Sequence, residues 1–533
     1  MFKPLRSFSL LLLALAACAS PGAAPKPDGI VERSIDGQKL TIKVMGFKST
    51  WEAPPDGPVE EIAAPYDVII VGGGLSGLTA GWYLRDKNVV ILERKDEAGG
   101  LAFRGVTEEG VVYARGSAYY SRPEGRCKKI YEELGMDAIE KTVIPEPIDS
   151  YFREGRLITH MWEEDSLKLL PDGFRKFKEA ILKEDADGAV AIQPIEHHKN
   201  LKLDKITMAE YIKPFGDELK AYLDSYGQSA LGGRTDDVNA LAFINFYLSE
   251  IGPRHSWPGG SAGASVHLIK KIRDFKPGLL KTGHCVTKVK NDGDRVVVEY
   301  YAGGRNFRAR AKAVIMAVPL RVTNQIMEDY PADRKALLAK LTYADYLVHS
   351  VFTSRDLCKA TYDTWFINRS FTDVIAARWI ETKGFTETAK PGPGVLSIYQ
   401  PLEPRRGVKE LDPDTVADLL VSAVKELGDY LPDLKKEKDL VVESYRWPAS
   451  IHIVPVNFFS EWVPKLTPPV GRVYFAANNL GTPAFEEATY RGWKAAQDLR
   501  KLLSVAPVQK RDDVLVVSGA ARSAEESNHA YGR

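Results

Sequence analysis

Hydrophobic positions along the chain fall into two rhythms, and their order sets the first expectations. Asp67–Val71 (DVIIV) is an almost unbroken apolar run of strand length, as expected for a strand covered on both faces, and Val89–Leu92 is a second. Leu75–Arg85, between them, reads as a helix. Apolar residues at helical spacing recur in Leu169–Lys183, Met208–Tyr226, Ala240–Ile251, Ala264–Asp274, Pro413–Leu431 and Ala484–Leu503. Strand patterns appear at 286–289, Arg295–Tyr301, Ala311–Val318, Tyr346–Thr353, Thr364–Asn368, Val395–Tyr399 and Val473–Ala476. Strands alternating with helices predict an α/β protein, and 533 residues are more than one domain needs.

The ends and linkers read differently. Lys3 and Arg6 precede Phe8–Ala17, an apolar stretch too short to span a membrane. Residues 19–29 (ASPGAAPKPDG) and Pro54–Pro65 have little to bury, so 18–65 is expected to be a tether with at most a marginal strand at Lys39–Phe47. Residues 506–533 form a polar tail.

Composition narrows the classes. Hydrophobic residues at 44% and charged ones at 27% are ordinary for a globular protein. The net charge of +1 becomes −1 once Lys3 and Arg6 leave with a signal peptide, which gives no reason to expect nucleic acid. Cys127, Cys285 and Cys358 lack C-x-x-C spacing and are expected to be buried thiols, one disulfide being the alternative. The nine histidines show no metal-ligand spacing, and His197-His198 is expected to be solvated surface.

Chemistry concentrates in Tyr66–Gly105. Gly72, Gly74 and Gly77 form G-x-G-x-x-G between the strand and the helix, with Ser76 in the helix's first turn. Such a loop presents backbone N–H groups and a helix dipole to a pyrophosphate. Glu93 closes the second strand about 20 residues on, where an acid accepts hydrogen bonds from a ribose. A glycine-rich turn without a ligand is the bland alternative.

The run Glu93 to Gly100, with Lys95 two residues after the acid and the pair Gly99-Gly100, resembles the flavin-containing amine oxidase and phytoene desaturase superfamily. The resemblance implies FAD and a Rossmann-like FAD-binding domain with an inserted α+β substrate domain. It places the FAD domain at 66–136, 257–319 and 465–505, and the substrate domain at 137–256 and 320–464. It also implies cofactor contacts at Leu101, Gly116, Ser117, Val286, Asn478 and Phe485. Three positions depart from the family: Leu101 stands where a basic residue is usual, leaving Arg104 as a substitute, while Ala477 and Asn478 replace a glycine and an acid. The helix after Thr482-Pro483 would point its N-terminus at the flavin.

Within the resemblance, Tyr119, Trp447 and His452 are pocket candidates; an ordinary packing role is the alternative for Tyr119. Ungapped alignment of Leu341–Arg355 puts Val348 where amine oxidases commonly carry a lysine beside flavin N5, with His349 on the opposite face of the strand. The implied activity is oxidation of a C–N or C–C bond, by a dehydrogenase using a quinone or another envelope carrier. A polyene desaturase or isomerase and a non-catalytic flavin-fold protein are the alternatives. Leu15-Ala16-Ala17-Cys18 resembles the bacterial lipobox, which implies a signal peptide over 1–17 and a lipid on Cys18 at the cell envelope; an ordinary cleaved signal is the alternative.

Overall fold

The computed structural model describes residues 27–46, 54–121, 123–139, 142–144, 150–187, 201–251, 254–358, 360–381, 392–404 and 411–504. Cys18 and His197-His198 lie outside these residues.

Two large sheets carry the fold. The first is built on the strand Tyr66–Val71, whose Val68, Ile69, Ile70 and Val71 are buried, as its apolar run requires. It pairs in parallel with Val89–Leu92 on one side and Arg305–Met316 on the other. Val473–Phe475 adds in parallel beside Arg305–Met316. Arg295–Ala302 and His284–Asp292 extend the sheet as an antiparallel meander. The helices Leu75–Tyr83, Ala262–Phe275 and Phe485–Ser504 share one apolar cluster with this sheet.

Among the described residues the second sheet has nine strands. Within it, Tyr343–Thr353 is flanked antiparallel by Gly394–Pro401 and Asp439–His452. One edge was not expected from the sequence: Ser150–Arg153 and Arg156–Ile158, in a stretch where no strand was expected, complete the side beyond Asp363–Trp365. The helices Asp172–Ala186, Asp217–Leu231 and Ala240–Ile251 pack their apolar faces into an adjoining core. Together the sheets and helices form the α/β fold expected.

Three local expectations need correction. The tether expected over 18–65 contains structure from Gly29 onward. Gly29–Ile35 and Gln38–Gly46 form a hairpin whose second strand pairs in parallel with Asp439–His452, burying Leu40, Ile42, Val44 and Met45. Val59–Glu61 pairs instead with Arg305–Met316 of the first sheet. The helix expected over Met208–Tyr226 breaks into Met208–Ile212, a 3₁₀ turn Lys213–Phe215 and Asp217–Leu231. Pro214 and Gly216 (φ 98°) break it, because one lacks an N–H and the other leaves the helical region. The strand expected over Thr364–Asn368 ends at Trp365, and Asn368 has a left-handed backbone (φ 56°).

Cys127, Cys285 and Cys358 are buried thiols, as expected. Among the described residues no helix is long and apolar enough to cross a membrane.

Candidate functional site

The site is assembled where the first sheet's parallel strands end. Gly77 permits it: a Cβ there would overlap the carbonyl oxygen of Gly72, so the Leu75–Tyr83 helix can sit this close to its strand only on a glycine. The second glycine pair lies against the first. Gly99 N donates to Gly73 O (2.9 Å), and a Cβ on Gly100 would come within 3.1 Å of Gly74 Cα. Gly116 lies against Leu101, and Ser117 N donates to Leu101 O (3.1 Å). Ser76 is buried, while Leu101 and Ser117 are exposed at the mouth of this cradle.

Glu93 is buried at the rim. Its Oε2 accepts from Gly73 N (2.6 Å) and its Oε1 from Lys95 N (2.9 Å). A carboxylate offers about four lone-pair sites, so acceptors remain for a ribose. Lys95 Nζ lies 4.8 Å from the centre of the Trp447 ring, and burial brings its ammonium down to about 7 against the attraction of Glu93. Val286 is buried in His284–Asp292, at a register shift between Val286 and Lys288. Arg104 belongs to the small strand Arg104–Val106, where burial lowers the pKa of its guanidinium.

The closing segment, Val473 to the helix Phe485–Ser504, divides its two asparagines between tasks. Asn478 is half-buried and its side chain has no partner among the described residues, leaving an amide where the family has an acid. Asn479 is fully engaged: its Oδ1 accepts from Leu320 N (3.0 Å), and its Nδ2 lies 3.0 Å from His452 Nδ1. His452 Nε2 donates to Gly481 O (2.9 Å), and Arg491 Nη2 donates to Leu480 O (2.8 Å).

His452 therefore differs from expectation. Both of its ring nitrogens are bonded, and burial lowers its pKa to about 4. It clasps the closing loop as a neutral ring. Phe485 packs on Tyr120 (4.8 Å between ring centres), which stacks on Trp257 (4.6 Å). The first turn of its helix carries Glu486 and Glu487, both buried, and Glu487 pairs with Arg491.

The second sheet covers the cradle. Val348 lies opposite Tyr399 and Tyr445, and Tyr346 opposite Trp447, so these residues share one face. That face meets the segment beside the cradle: Tyr399 Oη donates to Gly116 O (2.8 Å) and Trp447 Nε1 to Arg115 O (2.8 Å). Beside it, Glu443 Oε2 accepts from Tyr113 Oη (2.6 Å), Tyr445 Oη (3.0 Å) and Arg115 Nη2 (3.2 Å). His349 is on the opposite face, with Nδ1 2.7 Å from Ser444 Oγ and Nε2 2.9 Å from Gln400 Oε1. Burial lowers its pKa to about 4. Tyr119 is half-buried under the Arg254 guanidinium (4.5 Å) and donates to Asp363 Oδ2 (3.3 Å).

Gly116, Trp447 and the Val348 face are thus brought together, while both ring nitrogens of His452 are bonded to the closing loop. Arg115, Glu443 and Asn479 escaped the sequence reading because the contacts that engage them join distant parts of the chain, 328 positions between Arg115 and Glu443 and 27 between Asn479 and His452.

The family profile described as flavin-containing amine oxidoreductase matches residues 75–500. The chain belongs to this family. FAD is the family's cofactor, and the glycine cradle, the remaining acceptors of Glu93 and the uncommitted Asn478 amide fit it. Among curated relatives, the flavin-containing amine oxidase A of Equus caballus is 22% identical over 476 residues, covering 82% of this chain and 85% of that protein. Among solved structures, the cyclohexylamine oxidase of Brevibacterium oxydans superposes with a TM-score of 0.61 at 18% identity, covering 83% and 100% of the two chains. A CLA-producing fatty acid isomerase of P. acnes superposes with a TM-score of 0.59 at 15% identity, covering 83% and 99%. Both structural likenesses concern the fold.

Proposed function

We propose that this flavin-dependent oxidoreductase oxidises a small amine at its C–N bond and acts as a dehydrogenase rather than an oxidase. FAD, when bound, supplies the two-electron acceptor, taking a hydride equivalent at N5. The protein's own contribution is to enclose and orient the substrate. The Tyr399 and Trp447 side chains are pinned to backbone carbonyls beside the cradle, so their rings hold fixed positions and exclude water there.

Val348 is the observation that carries the dehydrogenase reading. It is buried on the face that meets Gly116, and an apolar side chain offers no charge to the superoxide formed when oxygen takes its first electron. His349 cannot substitute, being neutral and turned to the opposite face. The test is to reduce the enzyme anaerobically, then mix it with aerated buffer or with a quinone analogue. Slow reoxidation by oxygen and fast reoxidation by the quinone supports the reading. Oxygen reactivity equal to that of lysine-containing oxidases overturns it.

The apolar and aromatic character of the same face supports a second reading, a polyene or unsaturated acyl substrate undergoing desaturation or isomerisation. Turnover of such compounds with no response to amines would favour it. The lipobox-like Leu15–Cys18 supports an exported protein anchored by lipid at the cell envelope.

A further inference from the structure

We propose that Arg321 is a pyrophosphate-binding residue of the FAD site, supplying the positive charge that Leu101 cannot. The inference rests on the assignment of FAD as cofactor. A dinucleotide brings two phosphate charges to the C-terminal edge of the parallel sheet. Leu101 is exposed at the cradle mouth and offers no charge to meet them.

Register places Arg321 at that edge. Tyr66–Val71 and Arg305–Met316 run in parallel with Val71 opposite Met316, so the turns that follow them emerge side by side. The contact is close: a Cβ on Gly72 would lie 2.8 Å from Val318 Cγ1. Arg321 follows in the helix Leu320–Ile326, whose first N–H is held by Asn479 Oδ1 (3.0 Å). The Arg321 backbone is thereby tied to the segment that carries Asn478.

The side chain is half-buried, and its Nε is buried with no hydrogen-bond partner. Its electrostatic neighbours are the Tyr343 hydroxyl and Arg94, a like charge beside Glu93; burial and Arg94 both lower its pKa. A guanidinium that has lost water and sits near another cation destabilises the apo-protein. An anion bound between Arg321 and Arg94 reverses that cost, and the planar donor fork of arginine suits a phosphate.

Full-length apo-protein is titrated with FAD, with binding read from flavin fluorescence, for wild type, Arg321→Met and Arg321→Lys. Arg321→Met should weaken FAD binding by roughly 10- to 100-fold and flatten its salt dependence, as expected for loss of one charge-assisted contact. Its apo-protein should melt at the same temperature as wild type or higher, which a purely structural arginine would not do. Arg321→Lys should fall between them, and adding Leu101→Arg to Arg321→Met should recover affinity. Equal FAD affinity of wild type and Arg321→Met overturns the proposal, as does an apo-protein melting well below wild type. If Arg321→Met does not fold, Arg321→Gln takes its place under the same criteria. Wild type that binds no FAD would instead overturn the cofactor assignment itself.

Discussion

Acidification from neutral pH to about 4 tests the clasp that holds the closing loop. His452 Nε2 faces the Gly481 carbonyl, which only accepts, so the proton of the neutral ring is on Nε2. Asn479 Oδ1 accepts from Leu320 N, which turns the Asn479 amide nitrogen toward Nδ1. A proton on Nδ1 would therefore point at a donor. His349 is less constrained, because the Ser444 hydroxyl beside its Nδ1 can rotate to accept. Burial holds both imidazoles at about 4, against 6.5 in an unfolded chain. A depressed folded pKa adds stability that is fully present above about 6.5 and is lost as pH falls toward 4. At about 1.4 kcal/mol per pH unit, each ring contributes roughly 3 kcal/mol across that window. The assay is urea unfolding of the full chain at several pH values, comparing wild type with Asn479→Asp. The aspartate keeps an acceptor for Leu320 N and gives protonated Nδ1 a carboxylate, so His452 should titrate near or above 6.5. The variant should lose about 3 kcal/mol less stability than wild type between pH 6.5 and 4. Identical pH dependence in the two proteins would refute the assigned tautomer and the clasp.

Three further outcomes are expected. Glu443→Ala removes the acceptor of three donors and leaves Arg115 buried without that pair, costing roughly 3–5 kcal/mol in urea or thermal unfolding. Gly77→Ala should abolish FAD binding, measured by equilibrium dialysis, because its Cβ overlaps the Gly72 carbonyl oxygen; retention of wild-type affinity would contradict the cradle. Val348→Lys puts a cation on the face that meets Gly116 and should speed reoxidation by oxygen by about 10-fold or more in stopped flow, an effect of roughly 1.4 kcal/mol on the barrier.

The legible parts of the fold were those governed by local chemistry. Tyr66–Gly105 announces itself because strand, glycine loop, helix and acid follow one another within one unit, and Ala240–Ile251 because it is apolar on nearly every side. The N-terminal hairpin also left a local sign. Asp36-Gly37 is a two-residue turn with positive φ at both positions (48° and 86°), flanked by alternating strands, and its polar surroundings hid it. Pro214 and Gly216 similarly mark the break in the helix expected over Met208–Tyr226. The clasp was not legible. Nothing near His452 in sequence foretells that Asn479 and Gly481 will occupy both of its nitrogens, or that Asn478 rather than Asn479 stays uncommitted. Arg321 follows a plain apolar strand, and its significance comes from the neighbouring turn that register brings beside it.

The proposed activity is oxidation of an amine by FAD held in this cradle under the covering sheet. The most direct measurement is anaerobic: FAD-loaded protein is mixed with a panel of primary and secondary amines, with polyenes and unsaturated fatty acids as comparison, and the oxidised flavin band is followed in stopped flow. Saturable bleaching by at least one amine and none by the apolar compounds is the expected result. A band that stays unchanged with every amine while an apolar compound bleaches it, or is isomerised, would contradict it.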